Sequence, residues 1–154
     1  RSKVYDFGIS ELKALADNLR ILAKKSDGSL LITASRRSPP ATEKILSETL
    51  SDCPHYIWDG QGDNPYFGFL GLADYIVVTC DSANMVSEAC ATGKPVYVFH
   101  MQANRKTKFD IFHQSLEAGG YCRKLGDSLE NWRYDPLNET ERLADIVISR
   151  LGYE

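Results

Sequence analysis

Residues 75–99, YIVVTCDSANMVSEACATGKPVYVF, hold the key to the chain. "YIVVTC" is a near-continuous apolar run of strand length, as expected for a parallel strand covered on both faces. Asp81, Ser82, Ala83 and Asn84 follow, and such residues open helices. The helix is expected to end at Gly93, and "PVYVF" reads as the next strand. Strand, helix and strand in close succession make a βαβ unit with a parallel sheet.

The same alternation extends in both directions. "ISELKALADNLRILAKKSDG" puts Leu12, Leu15, Ala16, Leu19, Leu22 and Ala23 on one helical face, with Gly28 suited to end it. "PPATEKILSETLSD" carries Pro40 where a first helical turn tolerates it, and "NPYFGFLGLAD" offers Asn64 as N-cap with Pro65 at the first helical position. "TKFDIFHQSLEAGG" aligns Phe109, Phe112, His113 and Leu116, which makes His113 a packed residue at the edge of the core. A last helix, "NETERLADIVISRLG", has an Asn138-x-x-Glu141 capping box. Strands are predicted to centre on residues 29–34, 55–58, 74–79, 95–99 and 121–124. The fold class is therefore α/β, a doubly wound, Rossmann-like parallel sheet, in a single domain over residues 1–154.

Composition narrows the function. The chain has 154 residues, 43% of them apolar and 25% charged, with a net charge of −3. That balance argues against a nucleic-acid partner, which would call for a clustered basic surface. Cys53, Cys80, Cys90 and Cys122 show no metal-ligand or disulfide spacing and read as reduced, packed thiols of a cytoplasmic protein. Neither a metal nor a cofactor is called for, and no apolar run reaches the length of a membrane span.

In doubly wound sheets ligands bind beyond the carboxyl ends of the strands, at the switch in strand order. The loops to inspect are therefore 35–40, 59–64, 80–84 and 100–106. They carry Arg36 and Arg37, then Gln61 to Asn64, then Asp81, Ser82 and Asn84, then Gln102 and Asn104. A helix N-terminus presents unpaired N–H groups and partial positive charge, which suit a phosphate. Glu88 lies four residues past Asn84 and so faces the same side. A carboxylate there can accept hydrogen bonds from the two hydroxyls of a ribose. The competing reading is that Asp81, Ser82 and Asn84 only cap the helix. No G-x-S-x-G, Walker or G-x-G-x-x-G motif competes.

"LADYIVVTCDSANMVSEACATGKPVYVF" resembles the donor-binding segment of GT-B glycosyltransferases, most closely the peptidoglycan GlcNAc transferase group. The shared pattern is Ala73-Asp74, the loop Ser82 to Asn84, and Glu88, Gly93 and Pro95. The loop between Cys80 and Glu88 is one residue shorter than in that group and lacks its glycine. The resemblance implies that Glu88 binds the ribose of a nucleotide sugar (a UDP-sugar in that group) and that Ser82 and Asn84, beside Asp81, bind the pyrophosphate. It places Trp58 and Asp59 against the base, and Gln102 and Asn104 against the sugar.

"LLITASRRSPP", "IWDGQGDNPYFGFLGLAD" and "DSANMVSEACATGKPVYVF" together resemble, over nearly the whole chain, the "elongated mitochondria" family of plant mitochondrial fission, which has bacterial members. That family is GT-B-like. In such proteins an apolar strand ending in Gly-Gly precedes a loop like "RSKVYDFG", and an acceptor-binding N-terminal domain precedes that strand. The resemblance thus implies that the central strand of the sheet lies ahead of residue 1, so that strands 29–34 and 74–79 should not pair directly.

The resulting expectation is a nucleotide-sugar-binding donor half of a glycosyltransferase, with Arg36 or Arg37 at the leaving diphosphate and the general base in the N-terminal domain. The isolated domain should turn nothing over. The alternative is a non-enzymatic adaptor of the fission or division machinery, with peripheral membrane association of the full-length protein. An exposed patch of Tyr66, Phe67 and Phe69 would favour it.

Overall fold

A computed structural model describes residues 5, 7–35, 38–102 and 108–138. The order is α1 (Ile9–Ser26), β1 (Leu30–Thr33), α2 (Thr42–Thr49), β2 (His55–Trp58), α3 (Tyr66–Leu72), β3 (Ile76–Thr79), α4 (Ala83–Cys90), β4 (Val96–Phe99), α5 (Lys108–Ala118) and β5 (Arg123–Lys124). Every predicted strand is present, with its ends trimmed by at most two residues. The helix predicted over residues 138–152 lies, but for Asn138, outside the described residues.

All the strand pairings are parallel. β1 pairs with β2, from Leu30 opposite His55 to Thr33 opposite Trp58. β3 pairs with β4, from Ile76 opposite Val96 to Thr79 opposite Phe99, and β4 with β5. β1 and β3 share no ladder, so the sheet is split into a two-stranded and a three-stranded part. The predicted absence of direct pairing between these two strands holds.

One face of both parts is covered by α1 and α2. Leu12, Leu15, Leu19, Leu46 and Leu50 pack there against Ile32 and Ile57 of the first part and Val77 and Phe99 of the second. α1 therefore bridges the split. On the opposite face Val86 and Ala89 of α4 and Leu116 of α5 bury against Val78 and Val98. Burying each of the larger side chains contributes about 1.5–3 kcal/mol, which is why apolar periodicity determines which face turns inward.

Helix ends depart from the sequence expectation in ways that local chemistry explains. α1 is closed by Asp27 in the left-handed conformation (φ 50°), not by Gly28. A short polar side chain tolerates that region, and the Gly28 N–H then donates to Ala23 O at 2.9 Å. Pro40 stands before α2 rather than inside it, with the Thr42 hydroxyl donating to Pro39 O at 2.6 Å. The N-cap of α3 is Pro65 rather than Asn64, whose Oδ1 accepts from the Tyr66 N–H at 3.0 Å in a turn just ahead of the helix.

α4 stops at Cys90, not Gly93, because the Thr92 hydroxyl donates to Ala89 O at 2.6 Å in a terminating turn. Gly93 follows at φ 71°, and a Cβ there would stand 3.1 Å from Pro136 Cγ. The Lys94 ammonium donates to Leu70 O and Gly71 O, both at 2.7 Å, and so satisfies the open carbonyl end of α3.

Candidate ligand site at the carboxyl ends of the strands

β3 delivers the chain to the start of α4. Thr79 Oγ1 donates to Asp81 Oδ1 at 2.6 Å, and Asp81 is only 6% exposed, so this carboxylate is held inside the turn. Ser82 is the N-cap: its Oγ accepts from the Met85 N–H at 3.3 Å, while its carbonyl accepts from Val86 N–H. Those bonds use the third and fourth N–H groups of the helix. The N–H groups of Ala83 and Asn84, which have no partner within a helix, are the ones that can meet an anion. The capping expectation for Ser82 thus holds and leaves room for the other one.

A slot opens between the carboxyl ends of β1 and β3. Thr33, Ser35 and Ser38 line it from one side, and Thr79, Asp81 and Ser82 from the other. The loops after these two strands are therefore brought together at the switch in strand order, as the fold class requires. Arg36 and Arg37, in the first of these loops, lie outside the described residues, as does Asn104. Asn84 and Glu88 are exposed on the outer side of α4, on consecutive turns, whereas Val86, Ala89 and Cys90 turn inward.

Glu88 has a neighbour that sequence reasoning missed. Burial, and secondly the Glu88 carboxylate, push the Tyr66 phenol well above the usual tyrosine range. The Tyr66 Oη is itself buried and faces that carboxylate. Tyr66 had been read only as part of an apolar patch. The one available signal was the Asn-Pro start of α3, which fixes Tyr66 in the first turn of a helix that begins near the strand ends.

The other loops are less open. After β2 the Trp58 indole N–H donates to Gln61 O at 2.8 Å, and Asp59 Oδ1 accepts from Gln61 N–H at 2.9 Å. Both residues thus hydrogen-bond within their own turn. After β4, His100 pairs with Glu117 at 2.8 Å, and Met101 N–H points at Cys80 Sγ at 3.3 Å. Gln102 is exposed. Beneath this loop His113 is 1% exposed and donates from Nε2 to Cys80 O at 2.8 Å, so it is a packed residue, as its position on the α5 stripe predicted. The four cysteines are buried free thiols, and burial raises Cys80 to about 11.

Among the described residues no helix is long and apolar enough to cross a membrane. The profile of the family described as Mitochondrial fission ELM1 matches residues 1–151. Mitochondrial fission protein ELM1 of Arabidopsis thaliana is 41% identical over 151 residues, covering 95% of this chain and 35% of that protein. Uncharacterized protein RP120 of Rickettsia prowazekii is 35% identical over 123 residues, covering 75% of this chain and 34% of that one. The chain thus spans about a third of the length of the curated relatives it matches. No solved structure matches it at a significant level.

Proposed function

The chain belongs to the mitochondrial fission ELM1 family, and from that premise we propose that it binds a nucleotide sugar, in the first instance a UDP-sugar, as the donor half of a GT-B-type glycosyltransferase. The observation that supports this reading most is the meeting of two strand-end loops around the start of α4. Ser82 caps the helix there, the Ala83 and Asn84 N–H groups stand ahead of the first helical bond, and Glu88 is exposed one turn further on. The pyrophosphate would lie against Ala83 and Asn84 N–H, with Arg36 or Arg37 adding charge, and the ribose hydroxyls would donate to Glu88. Tyr66 would bound the ribose on the α3 side.

The chemistry is direct displacement at the anomeric carbon. The helix-terminal N–H groups stabilise the charge that develops on the departing diphosphate. The acceptor and the general base would belong to a separate N-terminal domain, so the chain by itself binds without turnover.

Thermal-shift measurements with UDP-, GDP-, CMP- and ADP-sugars, followed by calorimetry on the best ligand, test this. Glu88→Ala should weaken binding about ten- to a hundredfold, equivalent to about 1.5–3 kcal/mol of charge-assisted hydrogen bonding. Melting of the unliganded protein should barely change, because Glu88 is an exposed helical residue. Unaltered binding by the variant would sink the donor-site reading.

A second reading is favoured by one observation. Of the three residues expected to form a patch only Phe67, 71% exposed, is open, Tyr66 and Phe69 being partly buried, but Leu72 is 75% exposed on the same helix and Tyr56, 53% exposed, stacks edge-on against Phe69 at 6.0 Å. Such a surface suits a docking partner, as an adaptor of the fission type would need. Phe67→Ser with Leu72→Ser would then abolish partner binding without touching the nucleotide response.

A further inference from the structure

The buried hydroxyl of Tyr66 faces the one carboxylate assigned to the ribose, and we infer that it donates to Glu88 and so acts as a positioning residue, holding that carboxylate ready before a nucleotide arrives. This role rests on the donor-site reading and deepens it with a residue from α3, an element that contributes none of the strand-end loops.

The chain fixes Tyr66 from both sides. Asn64 Oδ1 accepts from the Tyr66 N–H at 3.0 Å in the turn that leads into α3. The ring meets that of Phe67 at 5.1 Å and packs against the core cluster that holds Leu70, Ile76 and Val86. Phe67 is exposed, so Tyr66 is the aromatic of this first turn that leans inward. Its Oη is thereby shut off from water.

A hydroxyl removed from water is costly unless it finds an acceptor, and buried hydroxyls in folded proteins find one. Burial, and secondly the Glu88 carboxylate, keep the phenol protonated well beyond the usual tyrosine range. A protonated phenol can donate, and a carboxylate can only accept, so the two groups are matched.

α4 presents Glu88 for this contact. Val86, Ala89 and Cys90 are buried against the sheet, and Ser82 Oγ accepts from the Met85 N–H at 3.3 Å at the start of the helix. The helix cannot turn about its axis without exposing those side chains, so Glu88 stays on its outer flank, exposed. A carboxylate has about four lone-pair sites. One bond from Tyr66 therefore leaves room for both ribose hydroxyls. An exposed glutamate samples several rotamers, and one already held by a neighbour loses less freedom when the ligand binds.

Tyr66→Phe keeps the ring and removes only the hydroxyl. The first measurement needs no nucleotide. With 13C-labelled tyrosine, the Tyr66 hydroxyl proton should be visible by NMR, downfield because its acceptor is charged. It should move upfield in Glu88→Gln, where the acceptor is neutral. An absent or unmoved resonance would mean that the two groups do not meet, and the inference falls.

The second measurement is calorimetry with UDP and with 2′,3′-dideoxy-UDP. Tyr66→Phe should weaken UDP binding about three- to tenfold. It should leave the dideoxy analogue unaffected, because a ligand without ribose hydroxyls makes no use of Glu88. A residue that merely supports the fold would weaken both ligands alike, so equal losses overturn the positioning role. In the Glu88→Ala background Tyr66→Phe should cost UDP nothing more, since the phenol acts only through the carboxylate. A further loss there would likewise count against it. Wild-type protein that binds no nucleoside diphosphate would sink the donor-site reading and this role with it, and the NMR result tells that failure apart from a missing contact.

Discussion

β1–β2 and β3–β4 are built to the same plan, four residues against four in parallel register, yet they are buried to different degrees. Val96, Tyr97 and Val98 are each at most 3% exposed, whereas Leu31 is 42% and Tyr56 53% exposed. Apolar content does not explain the contrast, because "LLIT" is as apolar as "IVVT". Cover does. The three-stranded part has helices on both faces, while on the outer face of the two-stranded part Tyr56 stays exposed beside the ring of Phe69. A strand's burial is thus decided by what crosses over it, and two runs that read alike end in different environments.

The largest expected effect tests this contrast directly. Leu116 and Leu12 are both 1% exposed, one on α5 against the three-stranded part, the other on α1 lining the slot. Leu116→Ala should cost about 3–5 kcal/mol in urea unfolding. Leu12→Ala should cost nearer about 2–3 kcal/mol, because neighbours beside an open slot can relax into the space. Equal losses would show that the two parts are packed alike.

A smaller effect depends on pH. Burial, reinforced by His100, pushes the His113 imidazole below its usual pKa of 6.5, against the opposing pull of Glu117 and Asp110. The unfolded chain therefore binds a proton at His113 more readily than the folded one. Stability from this residue is complete above pH 6.5 and is lost as pH falls from there toward the folded pKa. Urea midpoints at about pH 7.5 and about pH 5.5 should show the loss, with the amides of β3 to β5 opening first. A rise in stability on acidification over that interval would contradict it.

The smallest effect belongs to the two-stranded part. Arg20 and Lys24 of α1 both pair with Asp52, just after α2, and hold its carboxyl well below the usual carboxylate range. All three groups are exposed. Asp52→Asn should lower Tm only slightly, and the difference should vanish in about 0.5 M salt, where charges are screened within a few ångströms. A large, salt-independent loss would mean that this turn matters more to the fold than its exposure suggests.

Much of this architecture was legible in the sequence, for identifiable reasons. Strands and helices were placed by periodicity, which burial enforces over many residues at once. That β1 and β3 share no ladder followed from the family resemblance, which implied a further strand between them. Helix ends were less legible, because Asp27, Thr92 and Pro40 act through single hydrogen bonds and dihedral angles that composition does not rank. At the candidate site, the loops after β1 and β3 and the cap at Ser82 were correctly located. The approach of Tyr66 to Glu88 was not, since it depends on how α3 and α4 pack, and nothing local to either residue signals it. The proposed roles of Arg36, Arg37 and Asn104 fall on residues outside those described.

The slot also has a colloidal consequence. A sheet with unpaired strands is adhesive along them, because exposed N–H and C=O rows are templates for a neighbouring molecule's backbone. The outer margin at β5 is protected: it is two residues long, and both Arg123 and Lys124 are charged and exposed. The inner margins have no such guard, for Leu31, Thr33, Val77 and Thr79 are all uncharged. Among the described residues, the margins of β1 and β3 are thus more open to a neighbouring molecule's backbone than the charged margin at β5.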